Sequence, residues 1–210
     1  MKSTFFKYLV LSFALILLTE VTKQLLNFDK LVYNSLAEKL TSSQIDNFFE
    51  IQEKWKWVSY IFIPIYVLIK TSLITCSVYI GIFFFNKKEI SFNSVWKIII
   101  EAEFIFLLVP VFKIIWFYFF QTTYILEDFQ YFYPLSALNI IGHEGLENWF
   151  LYPFQVINLF ELAYIIFLAF EVGKITETTT ENGLKIVGYS YLPTLILWVA
   201  VVMFFTLSSS

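Results

Sequence analysis

Long apolar runs alternate with short polar connections along this chain, and five of the runs have membrane dimensions. The run 95–120, VWKIIIEAEFIFLLVPVFKIIWFYFF, is long enough to cross the ~30 Å hydrocarbon core as a helix. The others are 5–21, 58–85, 150–173 and 186–207. Together they predict an all-α, polytopic transmembrane bundle of about five spans, forming a single membrane domain over 1–210. Lys2 and Lys7 precede the apolar stretch 8–18 in the manner of a secretory signal. Thr19, Glu20, Val21, Thr22 and Lys23 stand where a small-residue cleavage site belongs, so an uncleaved anchor is expected.

Between the first two runs, 23–56 carries two apolar stripes at helical spacing: Leu25, Phe28, Val32, Leu36 and Leu40, then Ile45, Phe48, Ile51, Trp55 and Val58. They predict an amphipathic helical connection lying on the bilayer or against the bundle, its second helix capped by Ser43 with Asp46. Trp55 and Trp57, interleaved with Lys54 and Lys56, are expected as anchors at the water–lipid boundary.

Pro64 and Pro110 fall inside the second and third runs, Pro153 in the first turn of the fourth, and Gly188 and Pro193 near the start of the fifth. Lysine placement suggests an orientation. Lys2 and Lys7 mark the amino end, Lys87, Lys88 and Lys97 the second-to-third connection, and Lys174 and Lys185 the fourth-to-fifth, all expected to face the cytoplasm. The 121–149 loop and the carboxyl end contain no lysine and are expected outside.

Of the 210 residues, 59% are hydrophobic and 21% aromatic, and the mean hydropathy is +0.71. These values lie well beyond the roughly 45–50% apolar usage of ordinary globular domains. A net charge of −3 and a pI near 5.2 offer nothing to nucleic acid. Every basic residue other than His143 is lysine, so bidentate arginine clamps are missing from the chemistry. Abundant Lys, Ile, Phe and Asn suit an AT-rich, bacterial genome, and the cytoplasmic (inner) membrane is the expected location. The one cysteine, Cys76, excludes an intrachain disulfide and is expected as a small buried residue.

Polar residues inside the runs are the candidate chemistry, because a charge at mid-membrane costs about 2.5–3.5 kcal/mol on insertion scales. They are Lys70, Glu101, Glu103, Lys113, Asn158 and Glu161. At ~1.5 Å of rise per residue, Lys70 and Glu161 fall near the midplane and are expected to form an ion pair. Lys113 lies at about the depth of Asn158. Glu101 and Glu103, two apart, point about 200° away from one another and cannot act as a pair. Two readings stay open: structural glue between helices, or a proton or ion pathway through Lys70, Glu103 and Glu161.

In His143-Glu144-Gly145-Leu146-Glu147, Glu147 stands where a zinc-binding H-E-x-x-H turn needs its second histidine, and Gly145 disfavours a helix. An exposed acidic turn is expected, with no metal and no cofactor. No Ser–His pair or phosphate-binding glycine loop occurs, so the expectation is a non-enzymatic protein.

The last run opens with Gly188-Tyr189-Ser190-Tyr191-Leu192-Pro193 and the apolar Thr194-Leu195-Ile196-Leu197, after Asn158-Leu159-Phe160-Glu161 and the turn containing Lys185. Over 151–205 this resembles the Yip-domain family, five-span proteins that interact with Ypt/Rab GTPases. The resemblance implies a membrane-organising or adaptor role. A scaffold or accessory subunit of a membrane complex is therefore the leading expectation, partnered by the bilayer and by other membrane proteins or copies of itself. A small transporter or permease component using Lys70, Glu103 and Glu161 is the alternative.

Overall fold

The structure, a computed structural model, describes residues 2–85 and 89–209. Lys87 and Lys88, part of the orientation argument, lie outside the described residues.

Helix α1, Lys2–Leu25, buries one stripe, Thr4, Tyr8, Leu11 and Ser12, and leaves Phe5, Phe6, Leu9 and Phe13 outward. At Asn27 the backbone enters the left-handed region (φ 48°), which an asparagine tolerates, and turns into α2, Phe28–Ala37. Helix α3, Ser42–Phe85, then continues for 44 residues, about 66 Å at helical rise. Two expectations are corrected here. The second amphipathic stretch is not a separate helix but the amino-terminal third of α3: nothing between Glu53 and Tyr60 breaks a helix, and Pro64 is absorbed within it. Its cap is also shifted, with Thr41 N–H donating to Gln44 Oε1 at 3.0 Å in place of a Ser43–Asp46 pair.

The third run is helical in mixed geometry. Helix α4, Phe92–Glu103, starts on Ser91, whose hydroxyl accepts from Ser94 N–H at 3.2 Å. It tightens into a 3-10 turn at Phe104–Leu107, resumes as α5, Leu108–Ile115, and ends in a π turn at Trp116–Phe120. Pro110 has no N–H to return to Phe106, and its ring crowds that carbonyl; the 3-10 turn lies just ahead of it, whereas Pro64 is accommodated within α3.

Short helices α6, Leu126–Tyr131, and α7, Ala137–Ile141, follow in the next loop. The fourth run, expected as one span over 150–173, is two helices, α8, Asn148–Val156, and α9, Leu159–Ile175. The break falls at Ile157–Asn158, where the main chain leaves the helix to bond the 135–137 loop: Ala137 N–H donates to Ile157 O (2.8 Å) and Leu159 N–H to Leu135 O (3.1 Å). Asn158 stabilises both ends of the break. Its Oδ1 accepts from Glu161 N–H (2.8 Å), capping α9, while its Nδ2 donates to Gln155 O (2.8 Å) and Val156 O (3.0 Å). Helix α10, Thr180–Ser209, completes the chain.

Three helical stretches are long and apolar enough to cross a membrane: Ser3–Leu25, Ser42–Phe85 and Thr180–Ser208. The runs 95–120 and 150–173 are the interrupted ones. Among the described residues no strand occurs beyond the single Ser136–Asn158 bridge.

Side-chain pairs fix how the segments run. Helix α1 is antiparallel to α3, because Glu20 meets Lys56 (3.3 Å) while the Tyr8 hydroxyl donates to Pro64 O (2.8 Å). It is parallel to the third run, with Tyr8 beside Trp96 and Leu26 O accepting from the Tyr124 hydroxyl. The third run is antiparallel to α9 through Phe106–Tyr164 and Phe112–Phe160. Helix α10 runs back along both α9 and α3. The five long segments thus alternate in direction.

Small residues allow the closest crossings. A methyl group on Gly183 of α10 would fall 1.9 Å from Ala169 O of α9, so backbone touches backbone there. Gly81 of α3 faces Ser190 of α10 in the same way, with 2.6 Å to its Cβ, and Ser77 Oγ beside it donates to Ser190 O at 2.9 Å. Cys76, expected to be buried, is exposed: Thr75 and Val78 occupy the inward stripe of α3, and Cys76 points to the other side.

Candidate functional site

The polar residues of the runs do not form one network. They divide into separate contacts, each joining two segments or closing one helix end.

Glu101 and Glu103 diverge from α4 as their spacing requires. Glu101 forms an ion pair with Lys7 of α1, with Lys97 3.9 Å away one turn back. Glu103 faces α3, where its Oε2 accepts from Lys70 Nζ at 2.7 Å. The Lys70 ammonium also lies 4.5 Å from the centre of the Phe106 ring, which adds a cation–π contact. Behind this pair, the other oxygen of Glu103 and the Tyr164 hydroxyl are both buried without a hydrogen-bond partner among the described residues.

Glu161 is not the partner of Lys70, which corrects the expected midplane pair. It sits in the first turn of α9, displaced by the break at Asn158, and its Oε1 accepts from the Tyr191 hydroxyl of α10 at 2.5 Å. Lys70 and Glu161 nevertheless line one cavity of about 430 Å³ between α3, α8, α9 and α10. Depth along the helices brought these two residues to the same level. The facing direction of α4 decided the pairing.

Around that cavity stand Tyr66 of α3, Tyr133 of the α6–α7 loop, Tyr152 and Gln155 of α8, and Tyr191, Thr194 and Trp198 of α10. Trp198 Nε1 donates to the Tyr152 hydroxyl at 2.8 Å, bridging α10 and α8. Burial pushes the Tyr133 hydroxyl up to about 12, so it stays a neutral donor through the physiological range. These aromatic residues were missed in the sequence. The one available signal was the i, i+3, i+7 spacing of Tyr191, Thr194 and Trp198, which puts them on one face of α10.

The remaining candidates stand apart. Lys113 lies 4.1 Å from the centre of the Phe129 ring, and no carboxylate is within 4.0 Å of it among the described residues. Asn158 acts on backbone alone. Trp55 and Trp57 are exposed and stack at 6.2 Å. His143 stacks on Tyr131 at 4.6 Å, within a turn where Gly142 (φ 85°) and Gly145 (φ 77°) hold conformations open to glycine. A second cavity of about 360 Å³ opens there beside Glu127, Asp128 and Glu144. Among the described residues no three His, Cys, Asp or Glu side chains converge as a metal site would require.

Comparison with protein-family models, with curated proteins and with solved structures finds no match to this chain.

Proposed function

We propose that the chain is a five-span integral membrane protein acting as a non-enzymatic scaffold or accessory subunit of a membrane complex. The observation that carries this reading is how its ionisable residues are used: Lys7–Glu101 joins α1 to α4, Lys70–Glu103 joins α3 to α4, and Tyr191–Glu161 joins α10 to α9. Groups so engaged hold helices together. The alternating direction of the five segments supports the span count, with the mixed helix 92–120 and the α8–α9 pair as third and fourth crossings. Lysine placement supports a cytoplasmic amino end and an external carboxyl end in a bacterial cytoplasmic membrane.

The partner surface in this reading is aromatic. Phe83 and Phe84 of α3 are 74% and 75% exposed, and Phe85 stacks on Tyr189 of α10 at 5.4 Å. The Yip-like segment 188–193 contributes to the same region, with Ser190 turned inward against Gly81 and Tyr189 turned outward. Photo-crosslinkers at Phe84 and Tyr189 in native membranes test the proposal. A discrete adduct with another protein, or with a second copy, is expected; lipid adducts alone at both positions contradict it.

A second reading, a small permease component, is favoured by one feature: the broken helix at Ile157–Asn158 opens beside the cavity that holds Lys70 and Glu161. Solute flux in proteoliposomes that is lost with Glu161→Gln would favour it over the scaffold.

A further inference from the structure

The two ionisable groups that line the cavity between α3, α8, α9 and α10 are partnered differently. Lys70 is neutralised at 2.7 Å by Glu103, which points at it from α4 and is itself buried. Glu161 has no ammonium within 4.0 Å among the described residues, and Lys70 across the cavity is turned to Glu103. Glu161 Oε1 accepts from a neutral phenol, Tyr191, and its Oε2 accepts no hydrogen bond among the described residues. An anionic oxygen in an apolar surrounding is stabilised by a cation far more than it would be in water.

The rest of the wall suits such a cation. Tyr66, Phe106, Tyr133, Tyr152 and Trp198 line the space, and aromatic rings attract ammonium groups over their faces. Lys70 over Phe106 shows one of these rings already doing so. At about 430 Å³ the cavity is in the size range of small-molecule sites. Beyond the scaffold role, we propose that this cavity binds a monovalent organic cation, an ammonium group on an apolar body, with Glu161 as its counter-charge. An anionic ligand would need Lys70 to leave Glu103, stranding a buried carboxylate.

The ammonium can come from a soluble amine or from the headgroup of an aminophospholipid, and both present the same chemistry to Glu161. The test uses the full chain in nanodiscs of phosphatidylglycerol, with radiolabelled benzyltrimethylammonium as probe. Saturable binding of one probe per chain is expected, weakened at least tenfold by Glu161→Gln and severalfold by Trp198→Leu. Glutamine is isosteric and still accepts from Tyr191, and an unchanged unfolding midpoint separates loss of charge from loss of fold. Adding phosphatidylethanolamine distinguishes the sources: competition points to the lipid headgroup, and no competition to a soluble amine. The proposal is overturned by absence of saturable binding, or by equal binding of the uncharged isostere neopentylbenzene. Stronger binding of phenylacetate, or unchanged affinity in Glu161→Gln, overturns it as well.

Discussion

Lys70 and Glu103, 33 positions apart in sequence, meet at 2.7 Å where α3 crosses α4, and the Glu103 side chain keeps only 8% of its surface. Breaking a buried pair from one side leaves a charge that neither water nor a partner stabilises. Lys70→Met should destabilise the protein by about 3 kcal/mol, the lower end of the range for buried pairs, because the Lys70 side chain retains 31% of its surface. Lys70→Met combined with Glu103→Leu should recover most of that loss. Equilibrium unfolding in mixed micelles measures both, and a double variant as unstable as the single one would contradict the pairing.

The Asn158 side chain satisfies one amide and two carbonyls at the α8–α9 break. Asn158→Ala should cost about 1 kcal/mol for the cap alone, and more with the orphaned carbonyls of Gln155 and Val156. Asn158→Asp keeps the cap but loses the donor, so it should fall between the two. Hydrogen exchange at Glu161 N–H reports the same effect locally: protection should fall in the alanine variant and persist in the aspartate one.

Gly183 and Gly188 lie on one helix and should respond oppositely. A methyl at Gly183 meets the Ala169 carbonyl at 1.9 Å, whereas one at Gly188 meets nothing within 4 Å. Gly183→Ala should destabilise by about 1–3 kcal/mol by forcing α9 and α10 apart. Gly188→Ala should be neutral or stabilising by up to about 1 kcal/mol through helix propensity. Melting curves of the two variants side by side make the comparison, and equal loss at both positions would contradict the α9–α10 contact.

Cys76 is exposed although Thr75 before it and Val78 just after it are buried. A small hydrophobic maleimide should label it in membranes without unfolding. A membrane-impermeant charged maleimide should label it poorly if that face meets lipid.

Much of this arrangement was legible in the chain. The apolar runs gave the helices, and the two-residue spacing of Glu101 and Glu103 gave their divergence toward different helices. The 3-10 turn before Pro110 was not read, because Pro64 and Pro193 carry the same signal and sit inside uninterrupted α-helices. The break at Asn158 was not legible, because an asparagine inside an apolar run reads equally well as an interhelical hydrogen-bonder. What selects the break is the 135–137 loop, which arrives from 20 to 24 residues earlier to take the Ile157 and Leu159 backbone groups. The partner of Lys70 was misread as Glu161 for a related reason: periodicity fixes depth, but the direction a helix faces depends on its neighbours. The fusion of the second amphipathic stretch into α3 followed from an absence of breakers, a weaker signal than the apolar stripe that suggested a separate element.

The broken α8–α9 segment is the decisive crossing, since the alternating topology fails if it does not traverse the bilayer. In a Cys76→Ser background, single cysteines at Glu144, before α8, and at Asn182, after α9, are exposed positions for an impermeant maleimide. Five alternating spans predict labelling of Glu144→Cys from outside intact cells and of Asn182→Cys only in inverted vesicles. Labelling of both from the same side would contradict them.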